Sequence, residues 1–341
     1  MGNLLVTGGA GFIGSNFTRR MVRNHPDWEV VVLDKLTYAG SLENLADLEG
    51  LPRVRFIRGD ICDRSVVEPL IRECDWVVNF AAETHVDRSI EEAGTFVMTD
   101  VYGVYVLLEC VRAHGLQRFV HVSTDEVYGE AHDQPSREDS PLMPKSPYAA
   151  SKAGGDRLAY SYWTTYGLPV VITRCTNNYG PNQYPEKMVP LFITNAILGE
   201  DLPVYGTGKN TRDWIYVEDH CRALEMALLA EGVEGEVLNI GSGEEYSILE
   251  IAGFILDALG LGQDRIRMVD DRPGHVLRHA VDTERIRSTL RWAPEVTMRD
   301  GMPMTVRWYG ENRAWWERIR SGEFQEYYRE HYERRRGLGK R

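Results

Sequence analysis

Gly8-Gly9-Ala10-Gly11-Phe12-Ile13-Gly14 is the stretch that decides the fold, and it follows a short apolar run at residues 4–7. Glycine permits a tight turn and lets another backbone approach closely. A helical pattern then occupies residues 13–24. The free N–H groups at the start of such a helix favour a phosphate. The stretch therefore predicts a strand, a turn and a helix that together bind a nucleotide.

Apolar runs alternate with helical patterns over the next 150 or so residues. The runs predict strands at residues 30–33, 54–57, 76–80, 119–122 and 170–173, and the patterns predict helices at residues 64–72, 89–113 and 148–166. Near-continuous apolar runs are typical of strands that are covered on both faces. The alternation predicts an α/β protein with a Rossmann-type doubly wound parallel sheet.

After residue 175, prolines and glycines interrupt the pattern. Strands at 213–217 and 237–240 and a helix at 247–259 predict a smaller, discontinuous α/β substrate-binding lobe. We assign residues 1–174 to the dinucleotide-binding domain, with 211–235 returning to it. Residues 175–210 and 236–320 form the second lobe, and 321–341 a C-terminal tail. The basic run in this tail predicts a solvated end, with a membrane or nucleic-acid patch as the alternative.

Charge and cysteine content narrow the function classes. A net charge of −12 over 341 residues argues against a nucleic-acid partner, so an anionic substrate has to meet local positive groups. The five cysteines form no C-x-x-C pair, which predicts reduced thiols in the cytoplasm. The chain enters its first strand directly, and no apolar run is expected to span a bilayer. These features predict a cytoplasmic protein without a membrane partner.

The second strand ends at Asp34, twenty residues after Gly14. A carboxylate there binds the ribose hydroxyls of a dinucleotide and repels a 2′-phosphate. We therefore predict NAD, although the adjacent Lys35 opposes this preference. Asp60 and Ile61 follow the third strand and are expected beside the adenine.

Tyr148 and Lys152 lie one helical turn apart and share a face. An ammonium close to a phenol lowers the pKa of the phenol, so Tyr148 can remove a hydroxyl proton while a nicotinamide takes the hydride. Thr124, at the end of an upstream strand, is expected in the same site. The alternative is an exposed Tyr and Lys at chance spacing.

Asp125 and Glu126 directly follow Thr124. Neighbouring carboxyl groups push their pKa values apart, which gives one acid and one base. An acid and a base added to an oxidation site are the tools for eliminating water. The combination indicates a dehydratase that uses a redox cofactor, although carboxylates after a strand are also common on surfaces.

Several segments resemble the dTDP-glucose 4,6-dehydratase family of extended short-chain dehydrogenases/reductases. They are residues 8–14, 34–40, 81–89, 124–129, 177–181, 212–214 and 271–275. The resemblance implies that Tyr148 takes the C4 hydroxyl proton of the sugar, Thr124 holds that oxygen, Glu126 removes the C5 proton and Asp125 protonates the leaving C6 hydroxyl. It also implies that tightly bound NAD+ takes the hydride from C4, returns it to C6 and is regenerated in each turnover.

The resemblance also extends the predicted binding sets. With the catalytic residues Thr124, Asp125, Glu126, Tyr148 and Lys152, the cofactor contacts would be Gly8, Gly11, Phe12, Ile13, Gly14, Asp34, Lys35, Leu36, Thr37, Asp60, Ile61, Ala81, Ala82, Thr99, Tyr148, Lys152 and Asn178. The contacts to a nucleotide diphosphate glucose would be Thr84, His85, Thr124, Asn177, Lys187, Met188, Leu191, Pro203, Tyr205, Arg212, Asn239, Arg272 and His275.

The chain departs from the family in few places. Asp100 stands where Asn is more frequent, and Val104 where Thr is frequent. We expect local repacking there. In relatives this helix forms a dimer interface, which Val101, Val104, Tyr105 and Leu108 could supply in a homodimer; alternatively, the same face packs on its own sheet.

Other functions on the same fold stay open from the sequence. A UDP-sugar 4-epimerase or decarboxylase needs no carboxyl pair after Thr124, and a UDP-glucose 4,6-dehydratase would share it. A GDP-mannose 4,6-dehydratase usually lacks the preceding Asp and uses NADP. A silent nucleotide-sugar-binding protein needs none of the catalytic set.

Overall fold

A seven-stranded parallel sheet forms the centre of the molecule, in a computed structural model that describes residues 2–271 and 275–321. The described strands are β1 Asn3–Thr7, β2 Glu29–Asp34, β3 Val54–Arg58, β4 Trp76–Asn79, β5 Arg118–Thr124, β6 Val170–Cys175, β7 Asn177–Tyr179, β8 Leu202–Tyr205, β9 Thr211–Tyr216, β10 Val237–Ile240, β11 Glu245–Ser247, β12 Ile266–Val269 and β13 Arg278–His279.

Helices connect these strands and cover the sheet. The described α-helices are α1 Phe12–Asn24, α2 Arg64–Glu73, α3 Val86–Glu91, α4 Ala93–Val97, α5 Val104–His114, α6 Pro147–Tyr166, α7 Met188–Leu198, α8 Val217–Leu229, α9 Ile248–Leu259, α10 Glu284–Leu290, α11 Met298–Glu311 and α12 Arg313–Arg320. A π-helical segment occupies Met98–Gly103, and short 3₁₀ turns occupy Leu42–Leu48, Asp125–Tyr128 and Gln263–Arg265.

The strand order in the main sheet is β10-β6-β5-β4-β1-β2-β3, and every pairing is parallel. The chain therefore winds outward from β1 in one direction, then returns to β4 and winds in the other. A crevice opens where the order reverses, at the carboxyl ends of β1 and β4, and ligands of such sheets bind there. The predicted fold class is confirmed.

Two apolar layers hold the helices on the sheet. Phe17 and Met21 of α1 and Leu224 of α8 are buried against one face. Leu107 of α5 and Phe119 of β5 belong to the layer on the other face. Both faces of the strands are thus removed from water, which explains why their sequences are apolar almost throughout.

The second lobe has its own core. Strands β7, β9, β11 and β13 form a mixed sheet, and β8 pairs with β12. Helices α7, α9 and α11 pack beside them around Phe192, Ile255 and Met302, with Trp316 of α12 fully buried in the same cluster. This lobe stands over the carboxyl ends of the main strands, because β7 follows β6 after a single residue.

The lobe boundaries differ from the sequence-based assignment in two places. Strand β10, at residues 237–240, was assigned to the second lobe but pairs with β6 at the edge of the main sheet. Strand β9, at residues 211–216, was assigned to the main domain but pairs with β7, β11 and β13. Apolar patterns identify strands but not their partners, since pairing depends on contacts distant in sequence.

The predicted helix at 89–113 is interrupted rather than continuous. It divides into α3, α4, the π-helical segment and α5, with a non-helical backbone at Glu92. Val104 and Leu108, predicted for a dimer face, are fully buried in the protein's own core.

The segment Ala93–His114 is long and apolar enough to cross a membrane, contrary to the expectation from the sequence. Half of its most apolar window is buried within the protein, and the core helix of a globular protein meets the same criteria of length and composition.

A buried ion pair fixes α6, which carries the predicted catalytic residues Tyr148 and Lys152, to the sheet. Asp156 of α6 accepts hydrogen bonds from Nε and Nη2 of Arg174 on β6, at 2.8 and 2.9 Å. Burial opposes the charge of Asp156, but Arg174 outweighs it and lowers the pKa of the carboxyl. Asp156 also pairs with Arg157, whose side chain is 44% exposed.

The Asp156→Ala variant should lose about 3–5 kcal/mol of unfolding free energy, because it leaves the Arg174 guanidinium buried without its counter-charge. Urea unfolding followed by circular dichroism would measure the loss. Arg157→Ala removes the exposed partner of the same carboxylate and should cost less than about 1 kcal/mol. Equal losses of unfolding free energy in the two variants would contradict the larger contribution to stability that we assign to the buried pair of Asp156 and Arg174.

Candidate active site

The glycine turn between β1 and α1 is shaped by close backbone contacts. Gly8 has a φ of +68°, and a Cβ there would lie 2.6 Å from the backbone nitrogen of Ala81. A Cβ on Gly14 would lie 2.3 Å from the carbonyl oxygen of Gly8. Helix α1 begins after Gly11 without a side-chain cap on its N–H groups. The turn thus presents uncapped N–H groups to the crevice, as a pyrophosphate requires.

The carboxylate of Asp34 lies beside this turn. Its Oδ2 accepts a hydrogen bond from the Ala10 N–H at 3.0 Å, and its Oδ1 accepts one from the Leu36 N–H at 2.8 Å. Burial raises the pKa of Asp34, and the two N–H donors oppose that effect. Each oxygen keeps a lone pair, so the fixed carboxylate can still accept hydrogen bonds from two ribose hydroxyls.

Lys35 does not offer an unopposed positive charge for a 2′-phosphate. Its Nζ lies 2.7 Å from Oδ2 of Asp60. The hydrogen bond to Asp60 is the main reason that the pKa of Lys35 is raised. Because Asp60 neutralises its charge, Lys35 favours a 2′-phosphate less than an isolated lysine would, and the prediction of NAD over NADP is strengthened.

The residues of the crevice fit a dinucleotide. One cavity is lined by nearly all the predicted cofactor contacts: Gly8, Gly11, Phe12, Ile13, Gly14, Asp34, Lys35, Thr37, Asp60, Ile61, Ala81, Ala82, Thr99, Tyr148, Lys152 and Asn178. Leu36 is absent from the lining. Its backbone adopts a φ of +57°, and its side chain packs against the core under the sheet. Its backbone N–H donates to Asp34.

The Gly14→Ala variant should lose about 1–3 kcal/mol of unfolding free energy, because the added methyl group would overlap the Gly8 carbonyl. It should also be isolated with less bound dinucleotide, which release by acid and chromatography would quantify. Gly253→Ala is the matched control, since a Cβ there meets nothing within 4 Å in helix α9. A Gly14→Ala protein with the parent's cofactor content would contradict the assigned close approach.

The predicted catalytic side chains come from the end of β5 and the start of α6. Thr124 ends β5 and caps the following 3₁₀ turn, where its Oγ1 accepts a hydrogen bond from the Glu126 N–H at 3.2 Å. Helix α6 starts with a cap from Ser146 and a proline at its first position, which fixes where Tyr148 and Lys152 fall. All five predicted catalytic residues line the one cavity.

Tyr148 is held as a phenol by its protein surroundings. Burial raises its pKa well above the ordinary value, and the charges of Glu126 and Asp100 add to the effect, while a hydrogen bond with Thr124 opposes it. Nζ of Lys152 donates to the carbonyl oxygen of Val122 at 2.8 Å. The expectation that the lysine leaves Tyr148 with a lowered pKa is therefore wrong for the protein groups alone.

Asp125 and Glu126 occupy different surroundings although they are adjacent. Asp125 is buried and Glu126 is partly exposed. Burial first, and then the charges of Glu126 and Asp213, raise the pKa of Asp125 to about 8, with Arg212 opposing the rise. Asp125 therefore carries a proton at neutral pH and can act as an acid.

The predicted substrate residues divide between two adjoining cavities. Thr84, Thr124, Asn177 and Lys187 line the main cavity, and Arg212 lines a smaller one. Both cavities include Glu126 and Asn177. The smaller cavity also contains Lys145, so two cations lie close to the acid–base pair. A negatively charged group of a substrate could be neutralised there.

The other predicted substrate residues do not line either cavity. They are His85, Met188, Leu191, Pro203, Tyr205, Asn239 and His275, while Arg272 lies outside the described residues. Leu191 is buried in the second-lobe core, and the rings of Tyr205 and His275 lie 6.4 Å apart beside it. Thus only part of the predicted set meets in one place.

Asn239, a predicted substrate contact, has a structural role and lines neither cavity. Its side chain is fully buried on β10, accepts a hydrogen bond from the Tyr128 hydroxyl at 2.8 Å and donates to the carbonyl oxygens of Ser136 and Asp282. These partners connect the main sheet to a segment of the second lobe. All of its side-chain hydrogen-bonding groups thus have partners within the protein.

Glu186 is a cavity residue that the sequence reasoning missed. Its buried carboxylate pairs with Arg88 at 3.0 and 2.9 Å, and with Nε2 of His85 at 3.1 Å. The Arg88 guanidinium also stacks over the Tyr38 ring, with its carbon 4.0 Å from the ring centroid. The signal in the sequence was the position of Glu186 directly before Lys187.

Asn178 is oriented by a second residue that was not predicted, His220. Burial lowers the pKa of His220 to about 3, so the ring is neutral. Its Nδ1 lies 2.9 Å from Oδ1 of Asn178, whose Nδ2 donates to the Thr176 carbonyl at 2.9 Å. Because the Asn178 amide already donates to Thr176, its oxygen faces His220, and Nδ1–H of His220 is the donor.

Comparison with known proteins agrees with this site. The family described as GDP-mannose 4,6 dehydratase matches residues 5–305. The dTDP-glucose 4,6-dehydratase of Streptomyces niveus is 53% identical over 322 residues, which cover 93% of this chain and 96% of that protein.

Solved structures extend the similarity to three dimensions. DesIV, the dTDP-glucose 4,6-dehydratase of Streptomyces venezuelae with NAD and TYD bound, matches with a TM-score of 0.90 at 50% identity, covering 93% of this chain and 99% of that one. The dTDP-glucose 4,6-dehydratase of Bacillus anthracis in complex with NAD matches with a TM-score of 0.88 at 42% identity, covering 94% and 100%. Because the similarity covers the cofactor crevice and the second lobe alike, the chain belongs to the sugar-nucleotide 4,6-dehydratase family of the extended short-chain dehydrogenases/reductases.

Proposed function

We propose that this protein is a dTDP-glucose 4,6-dehydratase, which converts dTDP-glucose to dTDP-4-keto-6-deoxyglucose and water and keeps NAD bound between turnovers. The observation that carries the proposal is the meeting of Asp125, Glu126 and Tyr148 in the cavity of the glycine turn. A tyrosine in such a cavity serves oxidation. The carboxyl pair supplies the acid and the base that are needed, in addition, to remove water.

The first proton transfer falls to Tyr148. In the proposal Tyr148 reacts as the phenolate: its deprotonated oxygen accepts the proton of the C4 hydroxyl, and the hydroxyl of Thr124 donates a hydrogen bond to the C4 oxygen. When bound, NAD+ accepts the hydride of C4 and returns it to C6, and its positive ring favours the phenolate. Lys152 is buried in the same cavity and adds a second positive charge there.

The elimination uses the two carboxyl groups in opposite protonation states. A ketone at C4 acidifies the C5 proton, and Glu126 removes it. Asp125 donates its proton to the C6 hydroxyl, which leaves as water. The assignment follows from the surroundings, because burial and neighbouring carboxylates raise the pKa of Asp125 to about 8 while Glu126 lies partly exposed.

The nucleotide diphosphate is assigned to the smaller cavity and the second lobe. Arg212 and Lys145 line that cavity beside Asn177. Arg212 is well suited to a diphosphate, since its planar guanidinium can bind two oxygens at once. We place the base near Tyr205 and His275, as the resemblance implies, and Met188, Leu191 and Pro203 would shape that pocket.

We further propose that the protein works as a cytoplasmic homodimer. Met98, Tyr102 and Tyr105 expose between 42% and 51% of their surface on the π-helical segment and α5. This apolar face would be covered by the same face of a second copy. Sedimentation of the purified protein at several concentrations would test the dimer.

The function is tested by incubating the purified protein with dTDP-glucose and no added cofactor, with UDP-glucose in parallel. Mass spectrometry should show loss of one water from dTDP-glucose, without net reduction of nicotinamide. A faster reaction of UDP-glucose would change the assigned nucleotide. An isomeric sugar of unchanged mass would move the assignment to an epimerase, and no reaction with either sugar even after NAD+ is added would overturn the proposal.

A further inference from the structure

Asp100 is a buried carboxyl group that the proposed mechanism does not use. It lies in the π-helical segment Met98–Gly103 between α4 and α5, and its side chain is 1% exposed. Single π-helical turns inside α-helices are frequent at functional sites. Among the described residues, Asp100 forms no ion pair within 4 Å, so its charge is balanced by hydrogen bonds and by more distant groups.

Both oxygens of Asp100 contact residues next to the catalytic pair. Oδ2 lies 2.6 Å from the hydroxyl of Ser151, and Oδ1 accepts a hydrogen bond from the Glu83 N–H at 3.0 Å. Ser151 stands between Tyr148 and Lys152 on α6, and Glu83 lines the cofactor cavity. Asp100 therefore links the catalytic helix to the cavity wall.

The Ser151 hydroxyl couples the protonation of Asp100 to the catalytic helix. Its Oγ also lies 2.8 Å from the carbonyl oxygen of Tyr148. A hydroxyl has one proton to donate. Charged Asp100 takes that proton, whereas protonated Asp100 donates to Oγ and leaves the serine proton for the Tyr148 carbonyl.

The backbone of Asp100 is held against α6 as well. A Cβ on Gly155 would lie 2.3 Å from the carbonyl oxygen of Asp100, and one on Gly154 would lie 2.9 Å from the Val101 side chain. Two successive glycines thus let the π-helical segment and α6 come into direct contact. The backbone of Asp100 is therefore fixed beside α6, within reach of Ser151.

Several charged groups act on Asp100 from the surrounding elements. Burial raises its pKa to about 6, and the Lys152 ammonium, the Ser151 hydroxyl and the Glu83 N–H oppose the rise. Burial and then Asp100 raise the pKa of Glu83 to about 7. The titratable groups that interact with Asp100 are Glu83 after β4, Cys62 after β3, and Tyr148 and Lys152 on α6.

We propose that Asp100 is a positioning residue for the Tyr148–Lys152 pair, acting through the hydroxyl of Ser151 and through its own negative charge. The hydrogen bonds fix the first turn of α6, and the carboxylate makes the Tyr148 phenol harder to ionise. This inference rests on the proposed function, in which Tyr148 takes the first proton.

The test compares the parent holoenzyme with Asp100→Asn in single turnovers of dTDP-glucose across pH. The amide keeps the shape and removes the charge: its oxygen can still accept from the Glu83 N–H, while its Nδ2 donates to the Ser151 Oγ, as the protonated carboxyl would. Below the pH at which the parent's oxidation rate levels off, the variant should be faster, by about tenfold for each unit by which the pKa of Tyr148 falls. The two rates should converge below about pH 6, where Asp100 of the parent is protonated.

Ser151→Ala separates the two effects, because it removes the hydroxyl and keeps the charge. It should slow oxidation by a similar factor at every pH and leave the shape of the profile unchanged. Superimposable profiles for the parent and Asp100→Asn would overturn the proposal. So would a uniform loss at all pH values in Asp100→Asn, which a purely structural role would produce.

A second readout does not depend on activity. A carboxyl with a raised folded pKa stabilises the fold at low pH and loses that contribution as pH rises through its folded pKa. The unfolding temperature of the parent should therefore fall relative to that of Asp100→Asn between about pH 4 and pH 6. If the parent oxidises no dTDP-glucose, the proposed function fails. The difference in unfolding temperature between the two proteins would still report whether Asp100 is buried and charged. A difference that does not change with pH would overturn the inference.

Discussion

The Glu126→Gln variant is expected to oxidise the bound sugar and then stop. Glutamine keeps the size and shape of Glu126 but cannot take the C5 proton, so elimination has no base. Loss of a positioned base typically slows a reaction by about 10²–10⁴-fold. Because Tyr148 and Thr124 are unchanged, the C4 hydroxyl should still be oxidised once per active site.

Mass spectrometry of quenched single turnovers would detect this stop. The nucleotide sugar should have lost two hydrogens and retained all its oxygen, in an amount equal to the enzyme. Tyr148→Phe is the contrasting variant, because it removes the group that accepts the first proton and should leave the sugar unoxidised. Turnover of Glu126→Gln at the parent rate would show that another group removes the C5 proton.

The main sheet was predictable from the sequence because its signals are local. The glycine turn at residues 8–14 and the apolar runs of β1 to β6 each lie within a few residues, and a parallel sheet allows few ways to connect them. The cavity follows from the same argument, since the carboxyl ends of parallel strands meet at one edge. Thr124, Asp34 and Gly14 could therefore be predicted as site residues from their positions at strand ends and in the glycine turn.

The partners of β9 and β10 were not predictable in the same way. Both strands have ordinary apolar patterns, but β10 pairs with β6, sixty or so residues earlier, and β9 pairs across the second lobe. The hydrogen-bond partners of Asn239 were not predictable for the same reason. Its strand lies at the edge of the main sheet, where the amide is enclosed by Tyr128 and two carbonyl groups.

The division of labour between Asp125 and Glu126 also depends on distant residues. The sequence predicts that one is an acid and one a base, because adjacent carboxyl groups repel each other's charge. Which of them keeps the proton depends on burial and on Asp213, whose carboxylate is held by the Ser242 and Gly243 N–H groups. That loop joins β10 to β11 of the second lobe, so residues distant in sequence contribute, with burial, to the raised pKa of Asp125 in the turn after β5.

The Asp125→Asn variant should be slowed about 10²–10⁴-fold in water loss, because asparagine cannot donate a proton to the C6 hydroxyl. It should differ from Glu126→Gln in one respect. Glu126 remains in place as a base, so in D₂O the oxidised sugar should exchange its C5 proton for deuterium without losing water. Glu126→Gln should show neither exchange nor dehydration under the same conditions.

The pH profile supplies the matched control for this assignment. In the parent enzyme, water loss should decline as pH rises through about 8, because Asp125 gives up the proton that it must donate. The residual rate of Asp125→Asn should not show that decline, since its side chain does not titrate. A parent rate that stays level well above pH 8, or loss of C5 exchange in Asp125→Asn, would mean that Asp125 is not the acid and that the proton reaches the C6 hydroxyl from another group of the cavity.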